Sequence, residues 1–212
     1  KQGLVPVFAV YSTFLQRAYD MLLHDVAISG LHVVLAVDRA GLVGADGETH
    51  QGSFDINYLT GVPNMTVYSP SNFTELRMML EKAVLFEKGP VAVRYPRGGQ
   101  GEYIDACTGD GGVVREGRDF TVVTYGTDIN TAVNSAKRLE KEGISVEIVK
   151  LGKVWPVDFG LIEESVGKTG RLLVLEECAS SGSLGEKIAA HFAGHGGLKS
   201  LVLKNLGGGF VQ

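Results

Sequence analysis

Arg39, Asp46, Glu48 and His50 lie close together in the segment DRAGLVGADGETHQGSFD, residues 38–55. A guanidinium is a planar fork of donors that matches phosphate or carboxylate oxygens. An imidazole holds or moves a proton near neutral pH, and a carboxylate can orient either group. Gly41, Gly44, Gly47 and Gly52 interrupt the segment and let the backbone turn tightly and approach a ligand. The segment follows an apolar run, HVVLAVDR, and buried strands do not need such an ending. Loops at strand ends need it when they hold a small polar ligand, so the segment points to an enzyme of phosphorylated small metabolites.

Other residues share this placement. Arg97 follows the apolar run PVAVRYP, and Tyr11 and Arg17 leave the first run, VPVFAVY. In a parallel sheet all of them emerge at the carboxyl edge, where ligands settle. Arg39 and Arg97 together suit a phosphate; surface salt bridging is the competing reading. His50, in a polar loop, suits proton transfer or a hydrogen bond to substrate, against a turn-stabilising role. Phe14, between Tyr11 and Tyr19, either stacks on a planar heterocycle or plugs the space between helix and sheet. Arg77 and Arg94 read as structural or solvated, and His24 and His32 as weak candidates. His191 and His195 have half of a zinc spacing, with no cysteine or glutamate to complete it.

The elements that must position these residues alternate regularly. Strands are expected at Val5–Tyr11, His32–Asp38, Met65–Pro70 and Pro90–Pro96. Helices are expected after Ser12 or Thr13, at Phe54–Thr60, and from Ser71 or Asn72, where Phe73, Leu76, Leu80, Ala83 and Val84 form a stripe. The runs are rich in Val and Ala, as in a parallel sheet covered on both faces. Residues 99–118 lack a sustained period and read as a linker. The second unit repeats the pattern: strands at Asp119–Gly126, Ile144–Leu151, Arg171–Glu177 and Leu198–Leu206, and helices through Ile129–Leu139, Val157–Val166 and Leu184–Phe192. The expected fold is α/β, with two three-layer α/β/α domains at residues 1–98 and 119–212. CASSGSLGEKI reads first as a turn capping a helix and second as an anion cradle. Glu176 and Glu177 end a strand without an evident partner, and either pair across an interface or face solvent.

Composition narrows the classes. The chain has 212 residues, net charge −4 and 21% charged residues, so no general basic field serves a nucleic-acid backbone. Cys107 and Cys178 are read as free thiols in a reducing compartment. No apolar run reaches the roughly 18 residues of a membrane span, and a cytoplasmic location is expected. GxGxxG, GxxxxGK[ST] and GxSxG are absent, which lowers the dehydrogenase, nucleotide hydrolase and esterase readings.

Four blocks, VFAVYSTFLQRAYDMLLHD, DRAGLVGADGETHQGSFDINYL, PNMTVYSPSNFTEL and GPVAVRYPRG, give the chain a family likeness. Together they resemble the 1-deoxy-D-xylulose-5-phosphate synthases, a family of transketolase-like thiamine diphosphate enzymes. The resemblance implies a pyrimidine-binding domain to about Gly98 and a transketolase C-terminal-like domain after the linker. It implies condensation of pyruvate with D-glyceraldehyde 3-phosphate to 1-deoxy-D-xylulose 5-phosphate and CO2, in isoprenoid and thiamine biosynthesis. It also implies thiamine diphosphate and Mg2+ as cofactors, and a homo-oligomer, commonly a dimer. By the same resemblance Phe14 stacks on the aminopyrimidine, with Tyr11 and Arg17 beside it. Arg39 and Arg97, helped by Tyr11, grip the substrate phosphate. Asp46 organises the loop, and His50 binds substrate oxygens and assists proton transfer. The family's diphosphate- and metal-binding domain is not in this sequence, and no metal ligand is expected within it. The chain alone is therefore expected to be inactive, as a fragment of a longer enzyme or one subunit of a split one. The alternatives are the C-terminal subunit of a split transketolase and a catalytically inactive interaction module.

Overall fold

The computed structural model describes residues 2–105 and 109–211. Cys107 lies outside the described residues; Cys178 is a buried free thiol.

The first unit opens with strand β1 (Val7–Tyr11) and a helical stretch from Ser12 to Ala27. That stretch is not one regular helix. α1 (Ser12–Leu15) passes through a 3-10 turn (Gln16–Ala18) into α2 (Tyr19–Met21) and then a π-helical segment (Leu22–Ala27). Leu15 and Leu22 are buried, whereas Tyr19 is exposed. β2 (Val33–Asp38), α3 (Asp55–Leu59), β3 (Thr66–Tyr68), α4 (Phe73–Leu85) and β4 (Pro90–Arg94) follow. Asn72 caps α4, its side-chain oxygen accepting from Glu75 N at 2.9 Å.

The second unit contains β5 (Gly111–Arg115), β6 (Phe120–Tyr125), α5 (Asp128–Glu140), β7 (Val146–Leu151), β8 (Lys153–Trp155), α6 (Phe159–Thr169), β9 (Arg171–Leu175), α7 (Leu184–His195) and β10 (Ser200–Lys204). β5 falls inside the segment read from sequence as a linker. It pairs antiparallel with β7 as an edge strand, and its two glycines hide the period of a strand.

The first sheet runs β1-β2-β4-β3-β8 and the second β10-β9-β6-β7-β5. Their inner strands are parallel, and only the edge pairs β3–β8 and β5–β7 are antiparallel. β8 belongs by chain order to the second unit yet completes the first sheet beside β3. The two units also share one apolar core. Leu35, Val37, Val67 and Ala92 of the first sheet cluster with Val123, Val149, Leu151 and Val174 of the second. Lys150 of β7 and Glu75 of α4 form a fully buried ion pair across the same junction.

Coverage of the first sheet is uneven. β2 and β4 are buried, but β1 is an outer strand with Val7 54% and Phe8 49% exposed. Among the described residues no helix is long and apolar enough to cross a membrane.

Candidate active site at the carboxyl edge of the first sheet

Strand register sets the site. β1 pairs with β2 so that Tyr11 sits opposite Asp38, and β2 pairs with β4 so that Val37 sits opposite Arg94. The three strands end at one level, and the residues just beyond them share one edge. Arg39 follows β2 with φ 58°, a left-handed conformation costly for a residue other than glycine and favoured here by local bonds. Its N–H donates to Asp38 Oδ1 at 2.7 Å, and its Nη1 to Asp38 Oδ2 at 2.8 Å. The turn lays the guanidinium 3.8 Å from the Tyr11 ring centroid.

Asp46 joins the two arginines. Arg39 Nε donates to Asp46 Oδ2 at 3.1 Å, and Arg97 Nη1 lies 2.7 Å from Asp46 Oδ1. Arg97 also donates to the Val43 carbonyl at 3.4 Å. The loop that carries Asp46 is closed at its base by Gly41 and Gly52, which exchange backbone hydrogen bonds of 2.9 and 2.8 Å. Gly52 has no room for a side chain: a Cβ there would strike the Arg39 carbonyl and lie 2.9 Å from both Ala40 Cα and Ser12 Cβ. Gln51 is buried and accepts from Val43 N at 2.8 Å.

The aromatic residues lie beside the arginines. Phe14 stacks on Tyr11 with centroids 5.6 Å apart and planes 14° apart. His50 meets the edge of Phe14 at 5.4 Å, and the Arg17 guanidinium lies 5.8 Å from the same ring. Phe14 is 42% exposed, so it does not plug helix against sheet; Leu15, fully buried, fills that space. Thr13 Oγ1 donates to the Thr49 carbonyl at 3.0 Å, and Thr49 Oγ1 lies 2.9 Å from His50 Nδ1. The structure therefore brings Tyr11, Phe14, Arg17, Arg39, Asp46, His50 and Arg97 into one continuous group. A cavity of about 300 Å3 opens beside it, lined by Asp38, Arg39, Asn72, Tyr95, Arg97 and Gln100.

Several contributors were not singled out from sequence. Asp38, Thr49 and Gln51 stand within or next to the same motif, where an acid beside Arg39 is a readable signal. Glu177, from the second unit, is one of the two strand-end glutamates open on sequence as interface or solvent residues, and it faces the interface. Its Oε2 accepts from Leu42 N at 3.2 Å and packs against Gly41.

Other residues have structural explanations. Arg94 is buried and donates to Asp55, itself fully buried, at 2.9 Å. Arg77 pairs with Glu81 on an exposed helix face. Glu176, open as a surface or interface residue on sequence, is buried: it accepts from Tyr125 Oη at 3.0 Å and from the N–H groups of Leu184 and Gly185. The anion cradled at the start of α7 is thus the chain's own carboxylate, while Ser183 caps the helix by accepting from Glu186 N. His191 stacks on Phe159 at 4.0 Å and lies 2.7 Å from Glu163. Among the described residues no group of three or more His, Cys, Asp or Glu is arranged to hold a metal ion.

The family model "Transketolase, pyrimidine binding domain" matches residues 1–100, and "Transketolase, C-terminal domain" matches residues 109–206. The chain is 47% identical over 202 residues to a 1-deoxy-D-xylulose-5-phosphate synthase from Halalkalibacterium halodurans, covering 92% of this chain and 32% of that protein. It is 44% identical over 198 residues to the synthase of Chlorobium luteolum, covering 91% and 31%. The chain thus spans about a third of the length of the curated relatives it matches. A solved structure described as a split gene transketolase, an inactive beta4 tetramer, superposes with TM-score 0.89 and 29% identity, covering 99% of this chain and 69% of that one.

Proposed function

Because the chain belongs to the transketolase-like family and carries its pyrimidine-binding and C-terminal domains, we propose that it is one part of a divided active site in a thiamine-diphosphate-dependent transferase. The other part, in the same polypeptide or in a separate subunit, holds the cofactor's diphosphate and Mg2+. The split-subunit arrangement is supported by the superposition of the split gene transketolase on nearly the whole chain. The observation that carries the reading is the juxtaposition of an exposed, stacked aromatic pair with two arginines joined through Asp46, beside one cavity.

The residues fit the ring end of the cofactor. Phe14 leaves much of its ring open for a planar heterocycle, next to Tyr11 and Arg17. When bound, thiamine diphosphate supplies the electron sink for bond making and breaking beside a carbonyl. The chain's own residues bind and orient. Arg39 and Arg97 take the phosphate of the acceptor sugar, with Asp46 bridging their guanidinium groups. With Nδ1 turned to Thr49, His50 has Nε2 available to donate to or accept from a substrate oxygen.

For the reaction itself, the 40–47% identity to 1-deoxy-D-xylulose-5-phosphate synthases favours pyruvate as donor and glyceraldehyde 3-phosphate as acceptor. The solved split transketolase favours a second reading, transfer from a ketose phosphate. Mixing this chain with the diphosphate-binding portion of the Halalkalibacterium halodurans synthase separates them. The first reading expects CO2 release that needs both parts, pyruvate and the aldehyde. Ketose-phosphate turnover without use of pyruvate selects the second. Full turnover by this chain alone refutes the divided site, and no turnover with any donor supports an inactive interaction module.

A further inference from the structure

We propose that Glu177 of the second domain is a positioning residue for the Arg39–Arg97 anion site, holding the Gly41–Leu42 corner of the loop that carries Asp46. This rests on the reading of those arginines given above. Three observations support it. The Glu177 carboxylate accepts from Leu42 N at 3.2 Å across 135 residues of sequence. It packs on Gly41 so closely that a Cβ there would overlap Oε2, and Gly41 has φ 78°. Gly41 is also half of the Gly41–Gly52 bridge that closes the loop.

The support behind Glu177 is rigid. It follows β9 at the point where the second sheet reverses direction, with β7 on one side of β6 and β9 on the other. Asp128, in the first turn of α5, accepts from the Glu177 backbone N–H. Asp128, Glu177 and Arg94 line a narrow cavity of about 20 Å3 between the domains. Besides the shared core, a carboxylate of the second domain therefore reaches the phosphate loop of the first. A shift of the second domain would move Leu42, and with it the two arginines that share Asp46.

The experiment measures hydrogen exchange of the Leu42 amide, inorganic phosphate affinity and the unfolding midpoint for the wild-type chain, E177A and E177Q. E177A removes the acceptor, whereas the amide oxygen of E177Q still accepts. Expected are about tenfold faster Leu42 exchange and severalfold weaker phosphate binding in E177A. E177Q should remain near wild type in both, and all three proteins should unfold within a few degrees of one another. E177A with wild-type Leu42 exchange and wild-type phosphate affinity overturns the proposal. If the wild-type chain binds no phosphate, the anion-site reading fails, and the Leu42 exchange alone decides whether Glu177 holds the loop.

Discussion

Asp46 spends both of its carboxylate oxygens on arginines, Oδ2 on Arg39 and Oδ1 on Arg97, while Asp38 takes a further share of Arg39. Two positive and two negative side chains nearly cancel, so an incoming phosphate must compete with Asp46 for donors. Asp46→Asn removes that competitor. Inorganic phosphate should bind about fivefold more tightly to the variant, measured by calorimetry; unchanged or weaker binding would show that Asp46 is needed for geometry above all. A different carboxylate contributes to pH dependence. Burial, then Glu177, push Asp128 up to about 7, with Arg94 working against them and Glu176 adding to the rise. Between the ordinary carboxylate value near 4 and about 7 the folded chain keeps a proton that the unfolded chain releases. Its contribution to stability is complete below that interval and is lost as pH rises through about 7. Asp128→Asn should flatten this decline, so that the variant gains on the wild type at pH 8 and loses the gain near pH 4. Equal pH slopes in thermal unfolding would rule this out.

At the scale of elements, Gly52 is the position where the loop tolerates least change. Gly52→Ala forces a methyl against the Arg39 carbonyl and Ala40. The cost should be about 1–3 kcal/mol in chemical denaturation, together with loss of phosphate binding. A variant with wild-type stability and binding would show that the bridge can open freely. Much of the architecture was legible because apolar runs and caps are local. Thr66–Tyr68, Pro90–Arg94 and the Asn72-capped helix all fall within the expected segments. The convergence of Tyr11, Arg39 and Arg97 was legible for a related reason, since parallel strands of similar length end at one edge. What escaped depends on distant partners or on backbone detail. In the π-helical segment after Met21 the buried residues, Leu22 and Ala27, stand five apart, a spacing outside the ordinary helical pattern. β8 is three residues long and owes its strand character to β3. Glu177 and Glu176 have the same residue type and adjacent positions, yet one reaches a loop and the other caps a helix.

At the scale of the whole molecule, the two family domains are bound through a common core, the β3–β8 pairing and the buried Glu75–Lys150 pair. Separating the domains would expose that core and break the strand pairing, so this junction should resist their independent motion. A rigid junction keeps the second domain's Glu177 against the first domain's loop, and keeps the aromatic and arginine groups open at the same edge. On this reading the edge binds a sugar phosphate. Calorimetric titration of glyceraldehyde 3-phosphate into the wild-type chain and into a variant with both Arg39→Ala and Arg97→Ala tests it most directly. Binding to the wild type should be saturable, competed by inorganic phosphate and weakened at least about tenfold in the variant. No binding to the wild type, or equal binding to both proteins, would contradict it.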